Sequence, residues 1–111
     1  MQYVTLHNGV KMPQIGYGVF QVGHEECERC VLDAIRVGYR AIDTAQSYGN
    51  EEAVGSAVKK CGAPRQELFL TTKVWISNAG YEKAKASIDK SLQNLQTDYL
   101  DLLLIHQPFG D

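Results

Sequence analysis

Residues 39–62 read YRAIDTAQSYGNEEAVGSAVKKCG, and this stretch decides the fold. It opens with the short apolar run of residues 39–43, which is typical of a buried strand. Asn50 is then a favourable N-cap for a helix that ends before Gly62. Apolar residues recur on one face of this helix, at Val54, Ala57, Val58 and Cys61. A strand followed by a helix is the repeating unit of a parallel sheet.

The same alternation extends in both directions along the chain. Apolar runs predict strands over residues 15–18, 67–73 and 99–106, and periodicity predicts helices over residues 25–37 and 80–95. The later strands are apolar enough to be buried on both faces in their second halves. The last helix has an apolar stripe of Tyr81, Ala84, Ile88, Leu92 and Leu95. The sequence therefore predicts an α/β fold with four parallel strands and three helices.

A hairpin is predicted ahead of the first parallel strand. Residues 3–6 and 10–12 flank His7-Asn8-Gly9, and Asn-Gly favours a tight turn because both residues tolerate positive φ. Pro13 prevents the second strand from continuing as a central strand.

Composition and charge exclude several classes of protein. The 111 residues are 44% hydrophobic and 22% charged, with a net charge of −2, as in one ordinary globular domain. Since there is no long basic run, we expect neither a nucleic-acid partner nor binding to an anionic membrane. No stretch approaches the roughly 20 apolar residues that cross a bilayer, and the N-terminus does not resemble a signal peptide. Three sparse cysteines favour a reducing compartment, and we expect the cytoplasm.

Three of the predicted strands end on titratable side chains, Asp43, Lys73 and His106. Carboxyl ends of parallel strands meet at one face, and Tyr48 lies in the loop after the first of these residues. An ammonium near the phenol is expected to lower the pKa of Tyr48, which would then serve as a general acid. The pattern alone equally allows a structural Asp43–Lys73 ion pair, with Tyr48 at the surface and His106 in the core.

Four segments carry a resemblance to a known family. They are LHNGVKMPQIGYG (residues 6–18), DTAQSYGNE (43–51), TKVW (72–75) and DYLDLLLIHQP (98–108). In this order and spacing they resemble the aldo-keto reductases. The resemblance implies a parallel (β/α)8 TIM barrel with an N-terminal hairpin, and NADPH-dependent reduction of aldehydes and ketones to alcohols.

The resemblance also implies roles for the residues at the strand ends. Tyr48 would protonate the carbonyl oxygen, Lys73 would lower the pKa of Tyr48, and Asp43 would hold Lys73 and touch the cofactor near the nicotinamide ribose. His106 would bind and orient the substrate oxygen, a contribution of positioning and electrostatics.

The substrate pocket implied by the resemblance includes Phe20, Trp75 and Gln107. Trp75 is nearly as consistent with an aromatic packed beneath a loop. Gln107 stands where many relatives have tryptophan, and Val19 stands where many have threonine. Both differences fall at the pocket mouth, so substrate preference cannot be transferred.

Length is the largest departure from the family. A complete barrel of this type needs about 250 residues, and the family's remaining cofactor contacts come from its second half. We expect residues 1–111 to be the N-terminal half of a barrel that is inactive alone. The alternative is a stand-alone half-barrel, a structural or binding module that self-associates through its exposed strand edges.

Two further patterns offer alternatives. Cys27 and Cys30 have redox-motif spacing, yet both fall on the apolar stripe of a helix, which favours packing. His106 and Asp43 suit a metal-dependent hydrolase, but Lys73 would repel a cation and there is no His-x-His pair. We therefore expect no metal.

Overall fold

An antiparallel hairpin begins the chain in the computed structural model, which describes residues 1–108. Strand β1 (Tyr3–Thr5) pairs with β2 (Lys11–Pro13). Gly9 has a φ of +87°, and Asn8 Oδ1 accepts a hydrogen bond of 3.1 Å from the Val10 N–H. The predicted turn is confirmed, but only Gly9 adopts a positive φ, and Asn8 contributes through its side-chain oxygen instead.

A four-stranded parallel sheet follows, with its strands in chain order. The strands are β3 (Gly16–Gly18), β4 (Ala41–Asp43), β5 (Phe69–Val74) and β6 (Leu102–Ile105). The helices between them are α1 (His24–Arg36), α2 (Glu51–Lys60) and α3 (Tyr81–Leu95). The predicted α/β architecture is confirmed, and each helix boundary falls within one residue of the predicted boundary or of its cap.

The strands are shorter than predicted because polar connections take their first residues. Residues Arg65–Glu67 form a short 3-10 turn before β5. Arg65 then reaches the start of β6, where it donates to the Tyr99 carbonyl at 2.8 Å and pairs with Asp101 at 2.9 Å. These residues tie the entry to β5 to the entry to β6.

The core lies between the sheet and the helices. The helices contribute Val31, Val54 and Leu95, and the sheet contributes Ile42 and Leu70, all at most 1% exposed. Burying side chains of this size stabilises a fold by roughly 1.5–3 kcal/mol each. This packing fixes the strands, and therefore fixes the residues at their carboxyl ends.

Gly55 allows α2 to approach α3 closely. A Cβ atom at this position would lie 2.2 Å from the Asn94 carbonyl oxygen and 2.8 Å from Leu95 Cα. No side chain fits at that separation, so the absence of a Cβ sets the distance between the two helices.

The predicted burial of the last strand and of Tyr81 is wrong. Ile105 in β6 is 74% exposed, Leu103 and Leu104 are also exposed, and Tyr81 at the start of α3 is 77% exposed. Within residues 1–108, β6 pairs only with β5 and forms an edge of the sheet. An apolar run indicates that a strand is suited to burial. Whether the strand is buried depends on the elements that pack against it.

Cys27 packs in the core, as the helical stripe predicts. Its side chain is fully buried, and burial raises the pKa of its thiol to about 11. Cys27, Cys30 and Cys61 are all free thiols. Separately, none of the helices in residues 1–108 has the length and apolar character needed to span a membrane.

Candidate active site

The strand-end residues meet at one edge of the sheet. Asp43 is the last residue of β4, Lys73 lies one residue before the end of β5, and His106 directly follows β6. The His106 N–H donates to the Val74 carbonyl at 3.0 Å, which extends the sheet by one bond beyond β6. Parallel register therefore places a carboxylate, an ammonium and an imidazole on neighbouring strands.

The ammonium of Lys73 is held by two oxygens from β4 and the residue after it. Lys73 Nζ donates to Asp43 Oδ1 and, at 2.9 Å, to the Thr44 carbonyl. The Lys73 side chain is only 12% exposed, whereas that of Asp43 is 48% exposed. A largely buried ammonium with two fixed acceptors has a defined position, whereas the Asp43 side chain remains partly open to solvent.

Tyr48 reaches this ammonium from a short 3-10 turn, Gln46–Tyr48, that follows β4. The Tyr48 N–H closes the turn on the Ala45 carbonyl at 3.1 Å, and Gly49 continues the chain with a φ of +72°. Glycine adopts this left-handed conformation without steric cost, so the chain can turn sharply into α2. The turn places the phenolic oxygen 3.5 Å from Lys73 Nζ.

His106 lies on another side of the phenol. The rings of His106 and Tyr48 are nearly perpendicular, at 82°, with centroids 5.8 Å apart. Ser47 Oγ lies 3.5 Å from His106 Nδ1. A hydroxyl donating to Nδ1 leaves the proton of a neutral imidazole on Nε2. Ser47 is a site residue that the sequence analysis missed, because nothing in its spacing signals a contact with a residue 59 positions later.

Two of the three predicted pocket residues contact this group. Phe20 stacks at a tilt against Tyr48, with ring centroids 5.2 Å apart, and Trp75 lies 5.3 Å from His106. Gln107 is exposed and has a φ of +48°. Phe20 therefore lies beside the phenol and Trp75 beside the imidazole, whereas Gln107 only follows His106 in the chain.

Asn50 anchors the end of the Tyr48 turn. Its amide nitrogen donates to the carbonyls of Val19 at 3.0 Å and Val22 at 3.1 Å, and its oxygen accepts from Thr44 Oγ1 at 2.7 Å. Asn50 stands at the N-cap of α2, as predicted, but makes no side-chain capping bond. It instead ties the loop after β3 to the loop after β4, which joins the segment of Phe20 to that of Tyr48.

Glu51 is a buried carboxylate behind the site. It accepts hydrogen bonds from Thr72 at 2.6 Å, and from Ser91 and Asn94 at 3.3 Å each. Its position in the first turn of α2 adds the favourable end of the helix dipole. The sequence pattern marks Glu51 only as a helix-start residue, whereas the structure makes it a link between α2, α3 and β5.

A metal centre does not form from the described residues. In residues 1–108, no three histidine, cysteine, aspartate or glutamate side chains are grouped closely enough to hold an ion.

Comparison with known proteins identifies the family of the chain. The model of the Aldo/keto reductase family matches residues 14–111 of the chain. The chain belongs to this family. It is 54% identical over 109 residues to glyoxal reductase from Bacillus subtilis (strain 168), a match that covers 97% of the chain and 40% of the relative. It is 47% identical over 108 residues to morphine 6-dehydrogenase from Pseudomonas putida, covering 97% of the chain and 36% of that protein.

Solved aldo-keto reductase structures have the same fold. The crystal structure of an aldo/keto reductase from Brucella melitensis superimposes with a TM-score of 0.96 at 48% identity, covering 99% of this chain and 42% of that one. The predicted TIM-barrel type of fold is thereby confirmed. The chain spans about two fifths of the length of the relatives described.

Proposed function

We propose that the chain is the N-terminal half of an aldo-keto reductase barrel, and that the complete barrel reduces aldehydes and ketones to alcohols with NADPH. The observation that carries this proposal is the position of Lys73 Nζ, which contacts Asp43 and lies 3.5 Å from the Tyr48 oxygen. His106 lies against the same phenol. Relatives named as a reductase and a dehydrogenase support the reaction class.

Tyr48 is the proposed proton donor. As a hydride adds to the carbonyl carbon, the C=O π bond breaks, and the oxygen takes the phenolic proton to give the alcohol. The phenolate left on Tyr48 is stabilised by the Lys73 ammonium at 3.5 Å. At such a distance the attraction is roughly 5 kcal/mol for an effective dielectric constant near 20.

His106 is the proposed orienting residue for the substrate. In the proposed tautomer Ser47 Oγ donates to Nδ1, so the N–H at Nε2 is free to donate to the carbonyl oxygen. Donation at that oxygen stabilises the negative charge that develops during hydride addition. Phe20, Trp75 and Gln107 are the proposed pocket residues around the rest of the substrate.

Asp43 suits the proposed contact with the nicotinamide ribose. Its side chain is 48% exposed although it contacts Lys73, so it retains acceptor capacity for a ribose hydroxyl. Aldo-keto reductases use nicotinamide cofactors, and bound NADPH supplies the hydride. The glycines of β3 do not form a phosphate-binding loop, because they lie in a strand and α1 begins only at His24. We propose that the other contacts to NADPH come from the rest of the barrel.

The test compares Tyr48→Phe with a matched tyrosine variant in the complete barrel. Tyr48→Phe is expected to lower NADPH oxidation with an aromatic aldehyde by about 100-fold or more, the contribution of a general acid. Tyr81→Phe alters an exposed tyrosine and is expected to leave the rate unchanged. Full activity in Tyr48→Phe would show that the proton donor is misassigned, and loss of activity on chelation would favour a metal enzyme. Residues 1–111 alone are expected to show no turnover.

Self-association is a second candidate, favoured by the exposure of β6. Ile105 is 74% exposed on a strand that forms a sheet edge in the described part of the chain. Exposed apolar edges favour pairing with another chain. If the chain acts as a half-barrel, we propose that a second copy of the chain covers the exposed edge of β6. A defined dimer of 12.4 kDa chains in sedimentation would support this function, and a monomer would exclude it.

The proposed cellular setting is the cytoplasm, and the proposed substrate partner is a small carbonyl compound. The three free thiols support this setting. We propose neither a nucleic-acid nor a membrane partner. Fractionation of cells producing the protein tests the compartment.

A further inference from the structure

The side-chain amide of Gln46 joins the Tyr48 turn to the segment that carries Trp75. Gln46 is the first residue of that turn. Its Oε1 accepts from the Trp75 backbone N–H at 2.8 Å and from Asn78 Nδ2 at 2.9 Å. One amide oxygen therefore holds both ends of the short 3-10 turn Ile76–Asn78, which follows β5.

The other end of the same amide is anchored on α3. Gln46 Nε2 donates to Ser87 Oγ at 3.0 Å and to Ser91 Oγ at 3.2 Å. The Ser87 hydroxyl donates to the Ala84 carbonyl, and that of Ser91 donates to Glu51, so both serine oxygens present lone pairs to Gln46. This pattern fixes the orientation of the amide, with its nitrogen toward α3 and its oxygen toward Trp75.

The contacts form a closed ring of residues that includes Tyr48 and His106. From Gln46 the path runs through the backbone to Tyr48, then to the His106 ring at 5.8 Å, then to the Trp75 ring at 5.3 Å, and returns to Gln46 through the Trp75 N–H. In this ring, Gln46 Oε1 provides a hydrogen bond between the Tyr48 turn and the Trp75 backbone. This bond therefore contributes to fixing the position of Trp75 relative to Tyr48.

We propose that Gln46 is a positioning residue that sets the preference of the enzyme for aromatic over small aliphatic aldehydes, an inference that rests on the proposed function. An aromatic aldehyde with its oxygen between Tyr48 and His106 extends its ring toward Trp75, whereas a two-carbon aldehyde does not reach that side. Without Gln46 Oε1, the Trp75 N–H loses its acceptor and the segment shifts. Misplacement of a positioning element by about 1 Å can cost up to 100-fold in rate.

The test measures kcat and KM for benzaldehyde and acetaldehyde in the complete barrel. Gln46→Met keeps most of the side-chain length and removes both polar ends. It is expected to lower kcat/KM for benzaldehyde about tenfold, mainly through KM, and to change kcat/KM for acetaldehyde less than about threefold. Gln46→Ala is expected to lower the ratio of kcat/KM for benzaldehyde to kcat/KM for acetaldehyde in the same way. Agreement between the two variants would show that the effect does not come from a folding defect caused by methionine.

Ser87→Ala is the matched control, because it removes one bond at the nitrogen end and leaves both contacts of Oε1 intact. It is expected to keep the benzaldehyde-to-acetaldehyde ratio of the original protein. An unchanged ratio in both Gln46 variants, or equal losses for the two aldehydes, would overturn the positioning role while leaving the proposed function standing. Absence of aldehyde turnover in the original barrel would overturn the proposed function and this inference with it.

Discussion

Lys73 Nζ lies 3.5 Å from the phenolic oxygen of Tyr48 and donates at 2.9 Å to the Thr44 carbonyl, within the chain segment that leads to that tyrosine. The same ammonium therefore lies beside the proposed proton donor and fixes the backbone that leads to it. Lys73→Met removes both contacts, and we expect kcat in the complete barrel to fall about 100-fold or more, because the phenolate loses its counter-charge.

Lys59 provides the control for this variant. It is an exposed lysine in the last turn of α2, away from the sheet edge. Lys59→Met is expected to keep kcat within about twofold, since surface substitutions outside such sites have small effects. Steady-state NADPH oxidation measures both variants, and equal rates would show that the ammonium of Lys73 has no part in catalysis.

Glu51 is expected to stabilise the fold that supports the site. Glu51→Ala leaves Thr72, Ser91 and Asn94 without their shared acceptor, and we expect the free energy of unfolding to fall by about 2–4 kcal/mol. Glu52→Ala changes an exposed neighbour in the same helical turn and is expected to cost less than about 1 kcal/mol. Urea denaturation compares the two. Similar losses would contradict the supporting role of the buried carboxylate.

Gly55→Ala is expected to separate α2 from α3. The added methyl would meet the backbone of α3 at Asn94, which cannot yield without moving the helix. We expect a net destabilisation of about 1–3 kcal/mol, although alanine favours a helix over glycine by roughly 1 kcal/mol. Gly23→Ala is the control, since a Cβ at Gly23 meets nothing within 4 Å. Thermal unfolding measures the stability of both variants relative to the original protein. An increase in stability for Gly55→Ala would contradict the close approach of the two helices.

Burial of the Cys27 thiol makes the stability of the fold depend on pH in alkaline solution. Burial raises the pKa of its thiol from 9.0 to about 11, so the unfolded chain loses this proton at a lower pH than the folded chain does. The contribution of Cys27 to stability is complete below pH 9 and is lost as the pH rises toward 11. We expect the difference in unfolding free energy between the original protein and Cys27→Ala to shrink over that range. A difference independent of pH would show that the thiol is not protected by burial.

The sequence predicts the meeting of Asp43, Lys73 and His106 because their position depends only on strand polarity. In a parallel sheet every strand ends at the same edge, so a titratable residue at the end of each strand joins a common group. The helices are equally well predicted, since Val31, Val54 and Leu95 lie on periodic apolar faces that the sheet must cover. These features follow from local pattern and one rule of topology.

Contacts between distant side chains are not predictable in this way. Gln46 reaches Trp75, and Ser47 approaches His106, through loops whose paths depend on the whole sheet. The close approach of Gly55 to Asn94 depends on how α2 packs against α3, which the residue pattern of neither helix alone predicts. The exposure of Ile105 likewise reflects which elements flank β6. Periodicity identifies which face is apolar but carries no information about the neighbour that meets it.

Thr72 and Lys73 are consecutive residues of β5 that point to opposite faces of the sheet, Thr72 toward the Glu51 carboxylate among the helices and Lys73 toward the Asp43 carboxylate. One strand thus carries a structural hydrogen bond on one face and the candidate active site on the other. Substitutions around Lys73 leave the hydrogen bond of Thr72 in place, since the pleat of β5 keeps the two sets of contacts apart.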